Sequence, residues 1–202
     1  DQNSSIVFDI AGPADFDVLN ITGDLNLAGG YMVALWDEQY AGNGSHTLIT
    51  TTGTVNGGFT DEYLPAGTTG AGTAISVLPN SYSIALDTGG NVINFFTNAL
   101  GGDWNTAGNW SAGAPQAGQY AVIAQDNDTI EVTVAANSGV AGIEAQNTIR
   151  INNGSTLTVS GANPNATLDY IFADVILEGA GVLSIDGTAL LTDVKTLDRG
   201  TL

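Results

Sequence analysis

The chain has 202 residues, 43% of them hydrophobic, which is enough apolar material for one large domain or two small ones and argues against intrinsic disorder. No stretch approaches the about 18–20 consecutive apolar residues of a membrane helix. Against three basic residues stand 21 acidic ones, and a net charge of -18 repels phosphate backbones and anionic head groups, so nucleic acid and membranes are poor partners.

Cysteine is absent, which removes disulfides and thiolate chemistry and leaves stability to backbone ladders and packing. The first residues are polar and show no signal peptide, so the chain reads as a mature product or a piece of a longer one.

Helical periodicity is nearly missing. Short β-branched runs at 6–10, 18–21, 32–35, 47–50, 83–86 and 92–95 read as strands in the first half. In the second half the strands fall at 120–123, 129–134, 148–151, 156–159, 171–177 and 182–185. Gly, Asn and Asp punctuate them at short intervals, as sharp turns require. Residues 153–159 and 179–185 repeat one unit, a turn and then a strand with alternate apolar positions. Such a unit buries its apolar face only when another lies on it. The expected fold is all-β, a right-handed parallel β-helix (β-solenoid) with irregular loops; a β-sandwich is the alternative.

Composition shifts near residues 88–103. This divides the chain into a closing solenoid segment, 1–90, and an opening Trp-rich segment with further turns, 91–202. Trp104 and Trp110 lie in a Gly/Asn-rich stretch that cannot be one helical stripe, and their size suits them to plug the end of a core or an interface.

Two stretches carry a family resemblance. Asp103-Trp104 through Asn109-Trp110-Ser111 to Pro115 and Ile123 resembles the opening of autotransporter-like and filamentous-adhesin β-helix modules of secreted surface proteins. Gln119-Tyr120 stand where those modules carry an Asp. Residues 16–30, 40–49 and 53–59 resemble the closing segment of the same modules. The order here is reversed, closing before opening. The resemblance implies an extracellular or cell-surface structural protein, either a window on a tandem array or a subunit that polymerises head-to-tail with copies of itself. Its rival is an adhesin or carbohydrate-binding module holding glycans.

Residues that could carry chemistry are few. Asp126 and Asp128 offer oxygen ligands of the kind Ca²⁺ takes, and Asp15 and Asp17 share a face if extended, but neither pair has EF-hand spacing. No other cofactor is expected. With 21 acids, carboxylate pairs suited to glycoside hydrolysis arise by chance. Arg150, Lys195 and Arg199 are the basic candidates for lyase chemistry, and Arg150 between Ile149 and Ile151 should point outward, so no enzymatic activity is expected. His46, just after the turn 42–45, reads as a surface residue without a Gly-x-Ser-x-Gly elbow to serve. Trp36, Trp104, Trp110, Tyr31, Tyr40 and Tyr63 could stack on sugar rings. Asn-x-Ser/Thr sequons at Asn3, Asn20, Asn43, Asn109, Asn127, Asn153 and Asn165 are candidate glycosylation sites.

Overall fold

The computed structural model describes residues 4–37, 39–68, 74–127, 129–161, 170–187 and 189–197. They form two compact units, one within Asp1–Gly90 and one within Asn91–Asn163 and Leu168–Leu202. Both are built from parallel strands stacked turn upon turn, which makes the chain a β-solenoid and sets aside the sandwich.

The first unit coils through β1 (Ser5–Ile10), β2 (Leu19–Ile21), β3 (Leu25–Ala28), β4 (Tyr31–Trp36), β5 (Gly44–Thr51), β6 (Val55–Gly58) and β7 (Asp61–Tyr63). One wall stacks β1-β4-β7, a second β2-β5 and a third β3-β6, all parallel. The register sets Ile6 over Met32, Phe8 over Ala34 and Ile10 over Trp36, so alternate residues fall in inward columns. At the corners, side chains reach from one turn to the next: Asp24 Oδ1 accepts from the Thr54 backbone N–H at 2.8 Å and from its hydroxyl at 3.0 Å. These bonds hold the exposed Asp24 carboxyl below its ordinary pKa.

The unit ends differently from the expected coil. Strands β8 (Ala74–Leu78) and β9 (Ser81–Leu86) form an antiparallel hairpin, and β9 runs antiparallel to β5. The stretch 83–86, predicted as a solenoid strand, thus lies against β5 in the reverse direction. The turn at Pro79-Asn80 fixes this, because the Pro79 and Asn80 carbonyls accept the Val55 and Thr51 N–H groups at 2.7 and 2.9 Å. A proline there gives up no ladder hydrogen bond, having no N–H to donate.

The second unit contains β10 (Ile93–Phe95), β11 (Gly102–Asp103), a 3₁₀ turn at Ala107–Asn109, β12 (Tyr120–Ile123), β13 (Glu131–Val134), β14 (Ser138–Val140) and β15 (Gly142–Ala145). It continues with β16 (Thr148–Ile151), β17 (Thr156–Val159), β18 (Tyr170–Glu178), β19 (Val182–Ile185) and β20 (Ala189–Leu197). Every pairing between these strands is parallel. Strand β18 turns a corner, pairing first with β15 and then with β16, so one long strand serves two walls.

Sequence dictates the columns. Glu131-Val132-Thr133-Val134, Thr148-Ile149-Arg150-Ile151 and Thr156-Leu157-Thr158-Val159 each alternate polar and apolar, and in each the apolar pair is buried. Val132, Ile149, Val175 and Val194 stack in one column; Val134, Ile151 and Leu177 stack in the next. With Leu157, Val159 and Leu183 from the third wall they form a single core. Turns pass so close that glycine is required at Gly101: its φ is 77°, and a Cβ there would lie 2.6 Å from the Glu131 carbonyl oxygen.

Truncating a column should therefore be costly. Ile149→Ala, at a fully buried position, is expected to lower stability by about 2–5 kcal/mol, whereas Val7→Ala on the exposed face of β1 should cost under about 0.5 kcal/mol. Urea midpoints at unchanged slope would show the contrast.

Candidate functional site: the open first turn

Each predicted chemical residue can now be placed. Asp126 lies on an exposed turn; Asp128 lies outside the described residues, as do Asn3, Asn165 and Arg199. No group of three His, Cys, Asp or Glu suited to a metal is found among the described residues. Arg150 points outward, as its place in the strand predicts. Its guanidinium grips Glu131 of the preceding turn at 2.7 and 2.8 Å and Glu178 of the following turn at 2.5 Å. These bonds, led by that to Glu131, hold Arg150 still more firmly protonated than usual. The cation thereby ties three turns together along the outer wall.

His46 is not a surface residue. It is fully buried on β5, with its ring edge-on to Phe16 at 4.9 Å, and neither ring nitrogen finds a hydrogen-bond partner among the described residues. The turn that precedes it suggests exposure, but the alternation of β5 carries it to the inner side. Burial lowers its pKa.

The tryptophans are also inside. The indole N–H of Trp36 donates to the Ala66 carbonyl at 2.8 Å, and Tyr40 packs edge-on against its ring. Trp104 and Trp110 lie edge-to-face at 4.8 Å, Phe96 packs on Trp110 at 5.1 Å, and the Trp110 N–H donates to the Trp104 carbonyl at 2.8 Å. Buried rings offer no face to a sugar. Tyr31 and Tyr63, half-buried, stack on each other at 5.8 Å. Of the sequons, Asn109 is buried, accepting from Asn98 and donating to the Asp103 carbonyl, each at 2.9 Å, which leaves its amide no room for a glycan. Asn20, Asn43, Asn127 and Asn153 are exposed.

In the second unit the segment Asn109-Trp110-Ser111 returns along the outer edge of β10. The Phe95 N–H donates to Ser111 Oγ and the Ser111 N–H to the Phe95 carbonyl, both at 2.9 Å; the Thr97 N–H donates to the Asn109 carbonyl at 2.8 Å. The buried amide of Asn94 fastens this loop, accepting from the Ala112 N–H at 2.9 Å and donating to the Gly113 carbonyl at 2.8 Å. The edge of β10 is thus sealed by its own chain.

In the first turn of the first unit residues 15–17 return along the end of β1, the Asp17 N–H donating to the Asp9 carbonyl at 3.0 Å and the Ala11 N–H to the Asp15 carbonyl at 2.9 Å, but no such return covers β2 or β3 among the described residues. Strands β1, β2 and β3 each pair on one side only, with β4, β5 and β6. Leu19 heads an inward column whose next members, Ile49 and Tyr82, are fully buried, yet Leu19 itself is 37% exposed. Beside it, Ile6, Val7, Phe8, Asp17, Val18 and Leu19 line a shallow groove, with Val7 and Val18 exposed by 48% and 43%. Acid rims it: the Asp9 N–H donates to Asp17 Oδ2 at 3.1 Å, and the Asp9 carboxyl is raised in pKa by burial and then by Asp37 and Asp17. Sequence reasoning missed this surface, because exposure of Leu19 follows from the lack of a neighbour above it and not from its own pattern.

No protein-family model, curated protein or solved structure matches the chain.

His46 should make stability pH-dependent. The unfolded chain takes up a proton near pH 6.5 that the buried ring resists, so the unfolded state binds more protons and stability falls as pH drops from about 7 toward the lowered folded pKa. Asp9 acts with the opposite sign, and at lower pH, because its folded pKa is raised. Thermal melts of the wild type should lose stability between pH 7.5 and 5.5. His46→Leu should flatten that interval.

Proposed function

We propose that the chain is a structural module of an extracellular surface assembly, a β-solenoid subunit or repeat of a filament, sheath or stalk joined head-to-tail. It performs no catalysis in this reading; its work is to stack. The observation that carries it is the open first turn, where Leu19 stands exposed at the head of a column otherwise buried. An apolar column of this kind gains free energy from each further turn laid upon it, and an unpaired strand edge is a template for another strand.

Three further features support it. Charged side chains stand on the outer walls, where they keep a long rod solvated. The three tryptophans serve the core, which removes the strongest argument for a glycan platform. The sequence resemblance to secreted β-helical modules points the same way.

Assembly against a net charge of -18 should be salt-dependent, because screening shortens the reach of repulsion to about 8 Å at physiological ionic strength. Light scattering over rising protein concentration and salt should show growing mass, and negative-stain micrographs should show unbranched rods. A single monomer mass throughout, at millimolar protein and 0.5 M salt on the order of the strongest screening practical, would overturn the reading.

A further inference from the structure

We infer that residues 11–17 form a strap released by acid: when His46 takes up a proton its contact with Phe16 is lost, the return lifts from β1, and the outer edge of that strand is uncovered. The device works within a single copy and does not depend on the assembly reading.

The strap is fastened at few points. After β1 the chain doubles back, and Ile10 and Phe16 form an antiparallel bridge. The Asp17 N–H donates to the Asp9 carbonyl at 3.0 Å, the Asp9 N–H to Asp17 Oδ2 at 3.1 Å and the Ala11 N–H to the Asp15 carbonyl at 2.9 Å. Both backbone groups of Asp9 are thereby withheld from any other strand, which keeps the edge from acting as a template. Pro13, Ala14, Asp15 and Asp17 are exposed, and Phe16, the one large apolar side chain of the segment, is half-buried. A segment with a single apolar anchor and exposed backbone bonds opens at lower cost than the unit around it.

That anchor rests on His46. The two rings meet edge-on at 4.9 Å, the imidazole is completely buried, and neither of its nitrogens has a hydrogen-bond partner among the described residues. Such a site holds a neutral ring and rejects an imidazolium, whose charge would be buried without a partner. The surrounding elements supply none. Strand β9 sets Ile84 opposite His46 and carries Tyr82, whose hydroxyl donates to Glu62, and Asp87 follows it. The strap carries Asp15 and Asp17, β1 carries Asp9, and Asp37 follows β4. Burial alone is what lowers the pKa of the ring. With the strap raised, the imidazolium meets water and the strap's own aspartates, so a proton on His46 favours the open form. Asp9 acts with the opposite sign, because its carboxyl is raised in pKa by burial and then by Asp37 and Asp17.

Amide hydrogen exchange read by NMR on the full chain tests this, with rates corrected for the intrinsic effect of pH. The Ala11 and Asp17 amides should exchange about tenfold or more faster than amides in the middle of β4 at every pH, because the strap opens without the rest of the unit. Their protection should fall about tenfold between about pH 7.5 and 5.5, and amides in the middle of β16 should not follow. His46→Leu should remove that fall. Phe16→Ala, at a half-buried position, should strip Ala11 and Asp17 of protection already at neutral pH and bring the titration of His46, the sole histidine, up toward about 6.5. It serves equally well if His46→Leu does not fold. Exchange of Ala11 and Asp17 in step with β4 would mean that no separate strap exists. A fall with pH that persists in His46→Leu, or none in the wild type, would remove His46 as the trigger. A His46 titration unmoved by Phe16→Ala would show that Phe16 does not cover the ring, and the inference would fall.

Discussion

One constraint governs both units: an inward side chain is buried only when the turns before and after it are in register. Parallel pairing sets like positions above one another, so a single residue of slip would turn a whole column of Val, Ile and Leu to the outside. Within the second unit this condition is met at every turn that has two neighbours, and Ile149, Ile151 and Leu157 are completely enclosed. Where a neighbour is missing, the same geometry leaves apolar surface bare. The interior columns and the open end are therefore two outcomes of one rule.

Corners obey a second requirement. A turn must satisfy backbone groups that no strand pairs, and this chain does so with short side chains that reach along the stack. Asn137 Oδ1 accepts from the Thr156 N–H at 2.9 Å, Asn153 Oδ1 from the Ala180 N–H at 2.8 Å and Asp24 Oδ1 from Thr54. Asn147 is buried and braces the Gln125 backbone from both sides, accepting from its N–H and donating to its carbonyl. The abundance of Asn and Thr, which looks like loop composition, is thus part of the ladder. Solubility is provided on the outer walls, where acids outnumber their few cationic partners.

Much of the coil was legible. The runs at 148–151 and 156–159 alternate cleanly, those at 120–123 and 182–185 are short apolar runs between turn residues, and the structure has strands at each. Shorter pieces such as Gly102–Asp103, Asp61–Tyr63 and Ser138–Val140 carry too few residues for any period to register; their pairing is imposed by the neighbouring turn. The antiparallel hairpin could not be read either, because direction relative to β5 is a tertiary choice made through the carbonyls of Pro79 and Asn80. His46 shows the same limit. A histidine after a Gly/Asn turn reads as exposed, and only the alternation of β5 and the packing of Phe16 put it inside. The sealing loop was visible as an Asn-Trp-Ser motif, but its partner Asn94 gave no signal, since a lone Asn in an apolar run looks like any polar outward position. The candidate surface at the first turn was inferred in kind, as an end in need of cover, without its residues.

The seal on β10 has a bearing on how the second unit comes into being. Phe95 and Ser111, which close it, are 16 residues apart, so the loop forms at small entropic cost and can be complete while later turns are still unmade. As the chain emerges from the ribosome, this aromatic plug offers a finished floor on which β12, then β15, then β18 can be wound. Growth from such a nucleus has a single direction, and each new coil is templated by one already settled.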